Sequence, residues 1–209
     1  AVFHKNSGEI EHRHFSDITE YLRPGDVLVI NDTRVIPARL LGVRITSSVP
    51  EERAAEHEKN CEVLLLKRLS LTDWECIVRP GKKLRTGAKI YFSPRLSATV
   101  TGIKDEGVRV LTFETDGVFE EVLDEVGNMP LPPYITEKLE DKSRYNTVYA
   151  HTDGSAAAPT AGLHFTPELL QKVKDMGVKI APVLLHVGLG TFRPVKEEDI
   201  TQHIMHTEH

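Results

Sequence analysis

A run of short apolar stretches between residues 61 and 113, each closed by a turn signal, limits the fold of this chain more than any other feature. The stretches are 61–66, 74–78, 89–92, 98–103 and 108–113. Between them stand Leu71-Thr72-Asp73, Pro80-Gly81, Ser93-Pro94 and Asp105-Glu106-Gly107. Pro fixes φ and Gly tolerates left-handed backbone, so these are places where a strand stops and turns. Strands so short and so regularly punctuated predict a small antiparallel barrel or sandwich. Residues 44–58, just before it, are charged and poor in aromatics and predict a loose excursion.

The flanks follow a different rhythm. Asn6-Ser7-Gly8 turns a hairpin that returns over 9–12, and Ser16 is placed to cap a short helix carrying Ile18, Tyr21 and Leu22 inward. Arg23-Pro24-Gly25-Asp26 has the residues of a tight turn. A buried strand is expected over 27–30, running into the polar cluster Asn31-Asp32-Thr33-Arg34, with extended chain over 35–43. Beyond residue 113, Val118, Phe119, Val122, Leu123 and Val126 are spaced as on a helix that Gly127 stops. Prolines force 129–135 into extended geometry. Thr166-Pro167-Glu168 is a strong helix start, Leu169, Leu170, Val173 and Met176 form its apolar face, and Gly177 ends it. A strand follows over 178–187. Strand, helix and strand indicate α/β structure. The expected architecture is therefore an α/β main domain with an inserted antiparallel β-barrel domain: 1–43 and 114–209 form the main domain, and 44–113 the barrel.

The net charge of −5 argues mildly against a nucleic-acid binder driven by bulk charge. Distribution matters more than the sum. From Arg79 to Arg95 every charge is positive, at Arg79, Lys82, Lys83, Arg85, Lys89 and Arg95, while acids gather at 51–58 and 114–125. A solvated sheet face is the plain reading of that run. No apolar run approaches the roughly 20 residues needed to span a bilayer, so no membrane partner is expected. Ala1-Val2-Phe3-His4-Lys5 does not read as a signal peptide. Cys61 and Cys76 lack C-x-x-C spacing, which predicts a reducing, cytoplasmic setting. Both ends read as cuts inside a longer protein.

Three stretches combine polar groups with small residues, which let a ligand approach the backbone. The first is the small-residue run 154–166, Gly154-Ser155-Ala156-Ala157-Ala158-Pro159-Thr160-Ala161-Gly162-Leu163-His164-Phe165-Thr166. It promises little core, and it leads to a helix N-terminus whose N–H groups favour an anion. It has no Gly-Lys-Ser/Thr and is not a P-loop. The second is His186-Val187-Gly188-Leu189-Gly190-Thr191-Phe192-Arg193-Pro194, at the end of the last strand, a usual place for ligands in such sheets. A hydrogen-bonded core histidine is the plainer reading of His186. The third is Asn31-Asp32-Thr33-Arg34 with Arg39, where capping and turn duty compete with a site. His203, His206 and His209, with Glu208, are spaced by three, but that spacing swings the third away from the first, and H-E-x-x-H is absent. No metal is expected.

In this order these stretches resemble one family. Residues 28–40 resemble its first signature; 129–135 and Arg144-Tyr145-Asn146-Thr147-Val148-Tyr149 resemble the next two. Residues 154–166 and 186–194 resemble its most specific ones, and Met205-His206 the start of another. The family is the S-adenosylmethionine:tRNA ribosyltransferase-isomerases of queuosine biosynthesis, whose members extend past both ends of this chain. The resemblance implies an α/β domain with an inserted barrel, in agreement with the independent reading. It implies transfer and isomerisation of the ribosyl moiety of S-adenosylmethionine onto the 7-aminomethyl-7-deazaguanine wobble base of tRNA. The products are epoxyqueuosine, adenine and methionine. S-adenosylmethionine is then a co-substrate, no cofactor is implied, and the partners are the donor and the tRNA anticodon arm.

Proton transfer near neutral pH favours histidine, so His164 and His186 are the catalytic candidates. Asp32 joins them, to meet a cationic group of the donor or the aminomethyl group. Arg34, Arg39 and Arg193 are candidates to hold carboxylate or phosphate. Asn31, Thr33, Pro159, Thr160, Ala161, Gly162, Gly188, Gly190 and Thr191 complete the substrate-binding set. Arg79, Lys82, Lys83 and Arg85 are candidates for the RNA backbone, and Tyr134 and Phe165 for stacking on an exposed base. Two other readings compete. A non-catalytic RNA-binding module would not need the backbone pocket of the small-residue run, and a hydrolase or metalloenzyme would use the histidine-rich tail.

Overall fold

The computed structural model describes residues 1–132, 135, 139–188 and 198–205. The chain opens with the expected hairpin: β1 (Val2–Phe3) pairs antiparallel with β2 (Ile10–Glu11) across a turn in which Gly8 takes φ +74°. A 3-10 turn over Phe15–Glu20 replaces the expected short helix. Ser16 does not cap it. The Asp17 carboxylate reaches back to the His14 backbone N–H at 3.0 Å, and Tyr21, at its end, stays exposed.

Strands β3 (Val27–Asn31) and β4 (Thr33–Val35) form one path broken at a single residue, Asp32. Each half has its own parallel partner. β3 pairs with β12 (Lys179–Val183), and β4 pairs with β11 (Thr152–Ser155). Asp32 stitches the two pairs together. Its N–H donates to the Val183 carbonyl at 3.0 Å, and its carbonyl accepts from His151 N–H at 2.8 Å and Thr152 N–H at 3.2 Å. The expectation of a buried strand at 27–30 is corrected here. Ile30 is buried, but Val27 and Val29 are 56% and 60% exposed. Apolar residues mark a strand, whereas burial depends on what packs over it, and one face of this two-stranded sheet is uncovered among the described residues.

Helix α2 (Pro167–Asp175) leads from β11 to β12, giving the strand–helix–strand order read from the sequence. Thr166 caps it, its Oγ1 accepting Leu169 N–H at 3.2 Å, Pro167 stands at its first position, and Val173 is buried. Gly177, at φ +84°, turns the chain out of the helix. β12 stops at Val183, short of the expected 187. Over 185–187 the Asn31 and Ser155 side chains and the Ala156 backbone N–H hold the chain.

Six strands close a barrel in the order β10-β7-β6-β5-β8-β9, every pairing antiparallel. They are β5 (Arg39–Arg44), β6 (Cys61–Arg68), β7 (Asp73–Arg79), β8 (Lys89–Ser93), β9 (Leu96–Ile103) and β10 (Arg109–Thr115). Alternate residues fill the interior: Val63 and Leu65, Trp74 and Cys76, Ile90 and Phe92, Leu111 and Phe113. Closure leaves no unpaired sheet edge. Gly42 in β5 is required by contact, since a Cβ there would lie 2.7 Å from Ile90 Cγ2 and 2.8 Å from Phe92 Cδ1. The wall begins upstream of Arg44 and ends past Phe113. Helix α1 (Phe119–Val126), stopped at Gly127, belongs to the same core: Phe119 stacks on Trp74 at 5.7 Å and meets Phe113 edge-on at 5.3 Å. The excursion over 44–58 contains a 3-10 turn, Glu51–Glu56, anchored by buried Ala54. Among the described residues no helix is long and apolar enough to cross a membrane.

Candidate functional site

Asn31, Asp32, Thr33 and His186 converge where the β3–β4 path changes partner. The Asn31 amide holds the segment after β12: Nδ2 donates to the Leu185 carbonyl at 2.8 Å, and Oδ1 accepts Leu185 N–H at 3.1 Å. Thr33 is completely buried, and its Oγ1 lies 2.9 Å from His186 Nδ1. The His186 ring rests against Gly154, where a Cβ would stand 2.9 Å from Cε1 and 3.1 Å from Nε2. Gly154 also takes φ +139°, which side-chain-bearing residues rarely adopt. It sits at a register shift between β11 and β4, so the bulge that breaks the pairing also makes room for the ring. Ser155 fixes the next residues. Its Oγ accepts Val187 N–H at 3.0 Å and donates to the Ala157 carbonyl at 2.7 Å, while Ala156 N–H donates to the Val187 carbonyl at 3.0 Å. Asp32 Oδ1 is buried and has no hydrogen-bond partner among the described residues. An unpaired buried carboxylate oxygen is costly and marks a place where a donor is wanted.

The small-residue run is more structural than the sequence suggested. Ala156, Ala157 and Ala158 are buried, and Ala158 packs in a second core cluster with Val35, Met129 and Tyr145. Small side chains let the run pass close under 186–188. Residues Thr160–His164 form a 3-10 turn in which Thr160 and Ala161 face solvent, Pro159 is half-buried and Gly162 is buried. A Cβ on Gly162 would collide with the Tyr149 hydroxyl. Burial pushes the Tyr149 phenol above its ordinary range. His164 stacks on Phe15 at 5.0 Å, and no hydrogen bond or ring contact joins it to His186. Phe165 is core, edge-on to Phe15 at 4.9 Å, and cannot stack on a base in this arrangement. Glu168 stands in the first turn of α2, where its own backbone N–H and the Thr166 hydroxyl hold its carboxyl below its ordinary value.

The arginines divide. Arg34 is exposed, 3.7 Å from Asp153 Oδ1. Arg39 lies on the barrel wall and pairs with Glu62 at 3.1 Å. Arg79, Lys82, Lys83 and Arg85 are exposed on and beside the loop between β7 and β8, and none makes an ion pair among the described residues. That loop is held firmly. Leu84 is buried, and the Arg109 guanidinium donates to the carbonyls of Leu84 at 3.0 Å, Gly81 at 3.2 Å and Gly107 at 2.8 Å. Arg95, by contrast, is paired with Glu125. Gly188 is half-buried beside the Ser155 contacts. Gly190, Thr191, Arg193 and Tyr134 lie outside the described residues, as do His206, Glu208 and His209. Among the described residues no three His, Cys, Asp or Glu side chains gather to hold a metal.

Sequence reasoning passed over Asn146, whose Oδ1 accepts Val35 N–H at 2.7 Å and whose Nδ2 donates to the Val35 carbonyl at 3.0 Å. It also gave no role to Gly154 and Ser155 individually. Their partners are far away in sequence, so no local pattern announces them.

A family model described as queuosine biosynthesis protein matches residues 1–209. Among curated proteins the chain is similar to three S-adenosylmethionine:tRNA ribosyltransferase-isomerases. It is 55% identical to that of Clostridioides difficile over all of this chain and 58% of the relative. That of Lachnoclostridium phytofermentans is 55% identical over 99% of this chain and 58% of the relative. That of Finegoldia magna is 55% identical over all of this chain and 57% of the relative. The chain thus spans somewhat over half the length of these relatives. Among solved structures it matches an S-adenosylmethionine tRNA ribosyltransferase from Thermotoga maritima, with 34% identity and a TM-score of 0.35, over 88% of this chain and 49% of that one.

Proposed function

The chain belongs to the queuosine biosynthesis protein family, and from that premise we propose that it carries part of the active site of an S-adenosylmethionine:tRNA ribosyltransferase-isomerase, the activity named for its relatives. The observation that carries the reading is the junction at Asp32. A half-buried carboxylate with an unpartnered oxygen, a buried threonine and a histidine seated on a glycine meet there.

The chemistry asks for such groups. The sulfonium of S-adenosylmethionine acidifies the adjacent C5′–H, so a base can take that proton. Adenine departs with a proton, the neutral aminomethyl group of the wobble base attacks, and epoxide closure expels methionine. Asp32 is suited to a cationic group, either the sulfonium or the ammonium of the donor. His164 and His186 are the groups that handle protons and developing charge. Asn31 and Ser155 hold the backbone around His186, and Arg34 is available to an anionic group. The exposed cations on the β7–β8 loop are suited to the phosphates of the anticodon arm. A cytoplasmic setting goes with this reading, both cysteines being unpaired and buried.

The test mixes S-adenosylmethionine with an anticodon stem-loop carrying the aminomethyl base, and follows adenine, methionine and RNA mass. The 209-residue chain is run beside the protein extended to the length of its relatives. Adenine and methionine released together with a heavier RNA establish the activity, and the shorter chain's share shows how much of the site it holds. Silence from both proteins overturns the proposal.

A further inference from the structure

The Thr33 hydroxyl has one hydrogen-bond partner among the described residues, Nδ1 of His186 at 2.9 Å, and Thr33 has no exposure to water. A hydroxyl has a proton to donate as well as lone pairs. If Nδ1 carried the imidazole proton, Thr33 would accept it, and the hydroxyl hydrogen would be left buried with no acceptor among the described residues. If Nδ1 is bare, the hydroxyl donates to it and nothing is left unmatched. The second arrangement wins because an unmatched buried polar hydrogen costs more than a made hydrogen bond returns.

We propose that Thr33 is a positioning residue that fixes neutral His186 as the Nε2–H tautomer, so that His186 presents a hydrogen-bond donor to the site and not a base. Nε2 is free to do so: it has no hydrogen-bond partner among the described residues, and His186 is half-buried. Gly154 completes the device by leaving the space the ring occupies, since a Cβ there would lie 2.9 Å from Cε1 and 3.1 Å from Nε2. In this role Nε2–H is retained, and the proton with which adenine departs comes from a second donor. As the bond to the leaving adenine breaks and its electron pair goes to the departing nitrogen, the Nε2–H points a fixed dipole at the growing negative charge. The tautomer follows from the fold alone; its use against a leaving group rests on the transfer reaction proposed above.

Long-range nitrogen–proton NMR on histidine-labelled chain reads the tautomer directly, with His186 assigned by loss of its signals in His186→Gln. The expected result is a bare Nδ1 and a protonated Nε2 for the neutral ring, in roughly tenfold excess or more. Thr33→Ser should keep that excess, and Thr33→Val should reduce it to a mixture. A protonated Nδ1 with bare Nε2 in the wild type overturns the proposal, as does an unchanged ratio in Thr33→Val. Should Thr33→Val not fold, the wild-type spectrum still decides. In the extended protein, Thr33→Val should lower kcat about tenfold with little change in KM, and Thr33→Ser should restore most of it. A wild type that shows the tautomer but no ribosyl transfer would overturn the function and leave the tautomer standing.

Discussion

The Asn31 side chain and the Leu185 backbone exchange two hydrogen bonds, at 2.8 and 3.1 Å, across 154 residues of sequence. An amide carries a donor and an acceptor side by side, so it can stand in for one residue of a neighbouring strand. β12 ends at Val183, and this exchange keeps the chain alongside β3 for two residues more, bringing His186 to Thr33. Asn31→Ala should therefore cost about 1–3 kcal/mol. The loss should be local: hydrogen exchange should quicken at Leu185, while barrel amides keep their protection.

Asp32 offers the opposite case, a polar group whose removal should not harm stability. Asp32→Asn removes the charge from a buried oxygen that has no hydrogen-bond partner among the described residues. We expect the Tm to hold or rise slightly, while binding of S-adenosylmethionine, followed by calorimetry, weakens by roughly tenfold or more. A fall in Tm with unchanged binding would assign Asp32 to structure.

Lys82 and Lys83 stand on a loop that Arg109 and Leu84 fix from below, so changing them should not disturb the barrel. The double change Lys82→Gln and Lys83→Gln should leave unfolding within about 0.5 kcal/mol of wild type. It should weaken binding of an anticodon stem-loop and reduce the slope of log affinity against log salt by roughly 1.4–1.8. An unchanged slope makes this a plain solvated surface.

Burial raises the Cys61 thiol to about 11 from an ordinary 9.0, and raises Cys76 well above the ordinary value. The folded state therefore holds these protons at pH values where the unfolded chain has released them. Stability on this account is full below about pH 9 and is lost as pH rises from 9 towards 11. For Cys61 the loss approaches about 2–3 kcal/mol. Urea titrations from pH 8 to 11 on wild type and Cys61→Ala check it, the variant showing the shallower decline. Both thiols should resist a thiol reagent at pH 8 until the protein unfolds.

The barrel was legible because alternation is a local property: Val63 and Leu65, or Trp74 and Cys76, declare their face within a few residues. The α2 start was equally plain, since Thr166 and Pro167 act on their own helix. Val27 and Val29 misled because an apolar strand says nothing of whether a covering layer follows. The alanines at 156–158 misled in the other direction: all three are buried, Ala158 in the cluster with Val35, Met129 and Tyr145, instead of lining an open pocket wall. Asp17 took the capping duty expected of Ser16, both being competent and one residue apart. At the site, the polar cluster after β3 and His186 were visible as residue types, but their meeting was not. Thr33 and His186 are 153 residues apart, and Asn146 lies 111 from the Val35 backbone it holds.

That separation has a consequence for how the molecule is made. The barrel's strands are consecutive neighbours for most of their pairings and can zip from short loops, whereas the junction at Asp32 needs both parallel partners delivered from more than a hundred residues later in the sequence. Contacts of such long loop length form late and slowly. A ribosome still extending residues 152–188 would already carry a closed barrel, with Asp32 and Thr33 waiting on an unmatched strand. The Asp32 junction is thus the part of the described structure with the longest loops to close, while the barrel depends mainly on neighbours in sequence.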